Sequence, residues 1–192
     1  MKKLFALILF SMMFIPAVIF SQEFKPVSIG LNLTAGGRYD NVRMCVATGG
    51  VTGGPVADIM LNARFSPSND FSFVLNFPLM RPILFASAFS LLQFEPQLTF
   101  EFRTKISEKL YFVGGPGLGV SLNYGPDYHS SFNSRGMPFF SAGPIISSLF
   151  GLGFYAGKNY MVTGLRIFAI PLFSNALSGV VLGGAFDISF YF

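Results

Sequence analysis

The sequence predicts an all-β fold: a transmembrane, antiparallel, up-and-down β-barrel of eight strands behind an N-terminal export signal. Three observations point there. The chain is 52% hydrophobic and only 11% charged, with a mean hydropathy of +0.56. Past residue 22 it holds no uninterrupted apolar run of the ~18 residues that a membrane helix needs. Its apolar residues instead recur with a period of two, which marks strands with two different faces. Only helices and closed barrels satisfy every backbone group inside lipid, so an apolar chain without a spanning helix is left with the barrel. The rival, a secreted soluble β-sandwich, would carry a more charged second face.

Lys2 and Lys3 followed by the apolar run Leu4–Phe20, broken at Ser11 and Pro16, have the layout of a secretory signal peptide. Cleavage is expected after Ser21, which divides the chain into a signal (1–21) and one barrel domain (22–192). Pro16 and the polar Ser21-Gln22-Glu23 disfavour an uncleaved anchor, and Cys45 lies too far downstream for a lipid-anchored cysteine. Two of the 13 basic residues leave with the signal, so 11 remain against 9 acidic, a net +2. That balance, without a basic cluster, excludes nucleic acid as a partner. A single Cys excludes an internal disulfide.

Eight segments then follow in order. Val27–Gly36 turns Val27, Ile29, Leu31 and Leu33 outward. Pro55–Ser66 turns Ala57, Ile59, Leu61, Ala63 and Phe65 outward and Asp58, Asn62 and Arg64 inward; Pro67-Ser68-Asn69-Asp70 is a tight-turn sequence. Phe71–Leu79 keeps Phe71, Phe73, Leu75, Phe77 and Leu79 on one side. The fourth segment alternates most cleanly: Phe94, Leu98, Phe100 and Phe102 against Gln93, Glu95, Gln97, Thr99, Glu101 and Arg103. A one-residue slip would put carboxylates and an Arg in lipid, which fixes the register. Pro96 removes a ladder donor, so a bulge is expected there.

After the charged turn Lys105–Lys109, Leu110–Leu122 is the fifth segment. Its Gly114-Gly115-Pro116-Gly117-Leu118-Gly119 run lacks the Lys-Ser/Thr and the helix of a phosphate loop. Small residues where the barrel bends, or where bulky inner side chains intrude, explain it better. The sixth segment, Pro138–Ala156, is expected to bulge or turn near Ser147-Ser148 or Gly151–Gly153; division there would make ten strands. Gly157-Lys158-Asn159 is the next turn, Tyr160–Pro171 the seventh segment with Arg166 inward, and Val180–Phe192 closes the chain with Asp187 inward. Connections alternate short (67–70, 105–109, 157–159) and longer (37–54, 80–88, 123–137, 173–178), as in barrels with short turns on one side of the membrane and longer loops on the other. The tyrosines, mostly near strand ends, are expected to form an interfacial belt.

The signal peptide, the alternating strands, the segment Tyr111–Gly119 and the closing Phe190-Tyr191-Phe192 resemble the small outer-membrane β-barrel domain family, the "porin family" group related to outer membrane protein A and outer membrane protein X. The resemblance spans 22–192 and is carried by pattern. It implies an eight-stranded barrel integral to a Gram-negative outer membrane, surrounded by its lipid or lipopolysaccharide and inserted by the barrel-assembly machinery. Phe186, Ile188, Phe190 and Phe192 resemble the C-terminal signal that this machinery reads. Diffusion activity is not implied, because members of the group are also structural or adhesive.

Asp58, Arg64, Glu95, Glu101, Arg103, Arg166 and Asp187 share the inner parity. An eight-stranded barrel is just wide enough to be filled by side chains, and buried charges need partners. These four acids and three bases are therefore expected to form a plug of paired charges. A narrow channel, or a path for small or hydrophobic solutes, is the alternative; its features would be the apolar stretch Met80–Phe89, the inward Phe168 and Ile170, and a lateral gap at Pro96 or Pro144. His129 stands two residues before Ser131, which resembles the lipid A deacylase family and its Ser, His and carboxylate set. Asp127 would have to fold back to complete it, so a lipid A-modifying hydrolase is a remote alternative and the chain is read as no enzyme. One His and one Cys make no zinc set, and no metal or cofactor is expected. Loops 37–54 and 123–137 carry Arg38, Arg43, Arg135 and several aromatics, residue types enriched at binding hot spots. The role expected is structural or surface-interacting, adhesin-like, with those loops meeting an extracellular ligand.

Overall fold

The computed structural model describes residues 25–40, 53–80, 92–126, 138–174 and 179–192. Among them run nine strands: β1 (Val27–Asp40), β2 (Gly54–Ser68), β3 (Phe71–Met80), β4 (Leu92–Phe94), β5 (Gln97–Lys105), β6 (Leu110–Pro126), β7 (Pro138–Ala156), β8 (Asn159–Ser174) and β9 (Gly179–Tyr191). All pairings are antiparallel, and the pairing of β6 with β7 closes the sheet on itself. β4 and β5 lie end to end along β6, with Phe94 opposite Leu122 and Gln97 opposite Gly119. The nine strands are thus eight staves, the fourth broken at Glu95-Pro96, where proline cannot donate to the ladder.

The alternation read from the sequence is the alternation of the wall. Ile29, Leu33, Phe65, Leu75, Phe102, Leu118, Phe150, Leu165 and Phe186 are exposed outward, while Asn32, Asn62, Arg64, Glu101 and Asp187 are buried inside. Backbone closure leaves no general sheet edge, and the outer face is apolar, the combination that a bilayer requires. Outward Phe rings pack edge to face or tilted along β3 and β5: Phe71 on Phe73 at 4.7 Å, Phe71 on Phe102 at 5.0 Å and Phe73 on Phe100 at 5.7 Å between centroids.

The short turns gather at the end where β1 begins and β9 finishes. There Ser68 pairs with Phe71, Lys105 with Tyr111 and Ala156 with Asn159. Gly157, with φ of 66°, takes the left-handed conformation that a two-residue hairpin needs. The Phe192 amide donates to the Ile29 carbonyl at 2.9 Å, tying the last residue into the same rim.

Two expectations need correction here. The sixth segment neither turns nor divides: β7 is one strand of 19 residues, in register with β6 from Pro126↔Pro138 to Leu110↔Phe154. The small residues that suggested a turn make room inside the bore. Ser147 is buried and bonded across it, and a Cβ on Gly153 would collide with the Tyr160 ring. Arg38, expected in a loop, belongs to β1, which runs past Gly36 and Gly37 to Asp40.

Leu75 lies midway along β3 on the lipid face. Leu75→Arg is expected to destabilise the barrel by about 2–4 kcal/mol, and Val27→Arg at the rim by only about 0–1 kcal/mol. Denaturant titration of barrels refolded into vesicles measures both.

Candidate functional site

The bore is filled in three tiers. At the turn end, Arg64 of β2 forms an ion pair with Glu101 of β5, and Arg103 Nη1 approaches the same carboxylate oxygen at 3.2 Å. Ser72 accepts from Arg64 Nε at 3.2 Å and from Arg103 Nη1 at 2.6 Å. Arg103 then donates from Nε to the Asn69 carbonyl (2.7 Å) and from Nη2 to those of Ser68 (2.9 Å) and Phe71 (3.1 Å). One guanidinium therefore fastens the β2–β3 turn from inside. The Arg64 guanidinium also sits 4.2 Å from the Tyr160 ring centre and 4.9 Å from that of Tyr191, within cation–π range.

Those rings correct the tyrosine belt. Tyr155, Tyr160 and Tyr191 are buried inside the bore and pack with the half-buried Tyr111. Parity decides this, since each occupies an inner position of its strand. Tyr39 and Tyr124 do face outward; Tyr128 lies outside the described residues.

In the middle tier Arg166 of β8 donates from Nε to Asp187 Oδ2 at 2.6 Å and from Nη1 to Thr99 of β5 at 3.2 Å. The Thr34 hydroxyl lies 2.8 Å from Asp187 Oδ1 and 2.7 Å from Asn32 Oδ1, and can donate to one of them at a time. Asn32 and Asn62 both reach Ser189, at 2.9 and 3.3 Å. Ser147 of β7 donates to Gln97 of β5 at 3.1 Å.

The loop-end tier has two unlike halves. On one side Glu95 accepts from Ser121 at 2.9 Å, and Arg38 Nη1 stands 3.9 Å from the same carboxylate, with Asp58 buried nearby on the same small cavity. On the other side Ile145, Ile170, Leu172 and Val181 form an apolar cluster with Phe168 against it. A Cβ on Gly183 would strike the Phe168 ring, so this glycine makes the ring's place.

All seven inward charges expected from the sequence are thus buried in the bore, in separate groups and not in one cluster. Arg38 is an eighth that sequence reasoning missed. Its parity matches that of Ser28, Asn32 and Thr34, and extending the period of two through Gly36-Gly37 would have found it. Phe186, Ile188 and Phe190 line the outward face of β9, and Phe192, one residue past its end, is exposed. His129, Ser131, Asp127 and Cys45 lie outside the described residues, as do positions 41–52, 81–91 and 127–137 of the longer connections. Among the described residues no group of acidic, His or Cys side chains could hold a metal.

The fold has a solved counterpart. The structure of Neisserial surface protein A covers 87% of this chain and 96% of its own, at 10% identity and a TM-score of 0.62. Ail, the attachment invasion locus protein of Yersinia pestis, covers 88% and 99%, at 16% identity and a TM-score of 0.41. No family model and no curated protein sequence matches the chain. The architecture is that of a small outer-membrane β-barrel, closed, antiparallel and apolar on its outer wall.

Glu101→Ala would leave Arg64 and Arg103, both buried, facing each other without their shared carboxylate. Removal of one partner of a buried pair costs about 3–5 kcal/mol, and the same loss is expected here. Glu101→Ala combined with Arg64→Met should recover part of it. Reversible urea unfolding of the two variants gives both values.

Proposed function

We propose that this chain is an integral outer-membrane protein that acts through its exposed end, with a bore closed by its own side chains. The observation that carries the reading is the set of bonds across the bore. Arg166 joins β8 to β5, Ser147 joins β7 to β5, and Arg64 of β2 lies against Tyr160 of β8. The Arg166 bond, with a charged donor, contributes about 1.5–3 kcal/mol and the neutral Ser147 bond about 0.5–1.5 kcal/mol, and the Arg64 contact adds cation–π attraction, so a solute moving along the axis would have to break all of them. This supports a plug over a diffusion pore, and a structural or surface-interacting role over transport along the axis.

The orientation follows from the connections. Short turns belong on the periplasmic side and longer ones outside, which puts Arg103 and the tyrosine cluster at the periplasmic rim and positions 41–52 and 127–137 at the cell surface. Loops on a rigid scaffold are where binding residues concentrate, and Arg43 in the first stretch with Tyr128, Phe132 and Arg135 in the second suits an adhesive contact. The neighbour in Neisseria is likewise named a surface protein. Partners in this reading are outer-membrane lipid or lipopolysaccharide, the barrel-assembly machinery, which would read the outward Phe186, Ile188, Phe190 and Phe192, and an extracellular ligand. The protein is read as no enzyme.

Single-channel recording on the refolded protein in planar bilayers tests the closed bore. Folded barrel, verified by heat-modifiable gel mobility, is expected to give no steady conductance; reproducible open channels would overturn the plug. Replacement of both 41–52 and 127–137 by short neutral linkers should abolish binding to host or neighbouring cells and leave that mobility unchanged.

A further inference from the structure

The basic residues of this chain are divided by type. Past residue 3 the lysines are Lys25, Lys105, Lys109 and Lys158, and all four stand at the turn end of the barrel. Lys25 precedes β1, Lys105 closes β5, Lys109 leads into β6 and Lys158 lies between β7 and β8. The described arginines, Arg38, Arg64, Arg103 and Arg166, all turn into the bore, where each meets a carboxylate. A guanidinium is a rigid fork that suits a partner held in place, whereas an ammonium is a hydrated point charge on a flexible stem. The lysines therefore stand where a partner is mobile.

The rim at this end has four stations: the point where β1 begins and β9 ends, and the β2–β3, β5–β6 and β7–β8 turns. Lysine holds three of them and Asp70 the fourth, while Glu108 shares the β5–β6 turn with two lysines. Four lysine side chains against these two acids leave the described rim at +2. Lys25, Lys105 and Lys158 are exposed, with Lys109 half-buried. None of those three exposed lysines pairs with a carboxylate among the described residues. Behind the rim the first tier of the bore is positive as well, with Arg64 and Arg103 sharing Glu101. The apolar wall begins beside the ammonium groups. Val27 follows Lys25 by two residues, and Phe112 pairs with Thr104, the neighbour of Lys105. Val27 and Phe112 are exposed on the lipid side, and Ile106 is exposed in the turn itself. A lysine stem lies along such a surface and carries its charge to the edge. At the edge of hydrocarbon in a bilayer stands the headgroup phosphate.

We infer that the turn-end rim is a binding surface for anionic phospholipid headgroups, which it gathers from the surrounding leaflet in preference to zwitterionic ones. The inference rests on the membrane reading proposed above and narrows its lipid partner to one charge class at one end of the barrel. The ring is open at Asp70, and Lys105, Lys109 and Lys158 follow one another along the β5–β8 arc, so the gathered lipid concentrates on that side. Flexible ammonium groups suit headgroups that exchange, since each stem follows a phosphate without disturbing the wall behind it.

The chain contains no Trp, so one substitution supplies a unique fluorophore. Phe112→Trp places an indole on the lipid face beside the lysines, and Phe173→Trp places one at the opposite end of the barrel, on β8. Each protein is refolded into vesicles of equal parts phosphatidylglycerol and phosphatidylcholine, with bromine on the acyl chains of one lipid or of the other. Bromine quenches indole near contact, so the two preparations together read the local lipid ratio. The ratio of anionic to zwitterionic lipid at position 112 is expected to be about three times that at position 173. Salt at 1 M, which screens charges beyond about 3 Å, should bring the two positions together. Lys25→Gln, Lys105→Gln and Lys158→Gln combined should do the same at low salt. Equal ratios at 112 and 173 in low salt would overturn the inference, and so would a preference at 112 that survives the triple variant or the salt. If the triple variant does not refold, the salt titration of the Phe112→Trp protein decides alone. Quenching by either brominated lipid, with heat-modifiable mobility retained, shows an embedded barrel, so the charge preference and the membrane reading fail separately.

Discussion

Inside hydrocarbon a backbone amide has no water to turn to, and almost everything in this molecule answers that one constraint. Closure through β6 and β7 follows from it, as does the antiparallel ladder that runs from rim to rim. It also explains where prolines are allowed. Pro96, Pro144 and Pro171 each sit where a ladder lapses or changes partner, and having no N–H they leave no donor unsatisfied there. The constraint leaves the side chains free, and alternation then sends Phe and Leu one way and Arg, Glu and Asn the other.

The interior that results is narrow and closely filled, and charge can persist there only in company. Glu101 stands between two guanidiniums, Arg166 has Asp187, and Arg38 faces Glu95. Replacing such pairs by apolar residues of similar volume is often neutral or stabilising, so their presence is not explained by stability alone. Register offers a reason. Three of these four contacts join residues of different strands, and a strand that slipped by one residue would turn its charge into the membrane. The pairs therefore select one alignment among the several that a Phe-rich, Gly-rich wall could adopt.

Most of the wall was legible in the sequence because a period of two in apolar residues has only one cause in a chain of this composition. Strand number, turn positions and the inward seven charges came from parity alone. What was misread has a common origin: glycine, serine and tyrosine were given the meaning they have in loops and at water interfaces. In this bore they are matters of space. Gly153 and Gly183 give way to Tyr160 and Phe168, Ser147 crosses to Gln97, and the tyrosines fill the turn end. Their partners lie on other strands, and no local pattern shows which side chains will meet inside a barrel. The same blindness hid Arg38, because Gly36-Gly37 ended the strand too early on paper.

β6 and β7 have 17 and 19 residues, and they stay paired from Leu110↔Phe154 to Pro126↔Pro138. A tilted strand rises about 2.5 Å of height per residue, and about 9–11 residues suffice to cross the hydrocarbon. The excess carries an unbroken two-stranded ladder roughly 20 Å past the hydrocarbon at the end away from the turns. Whatever is attached beyond Pro126 and Pro138 is thus mounted on a stiff mast rather than at the membrane surface, and it is held at a fixed height and bearing above the lipid.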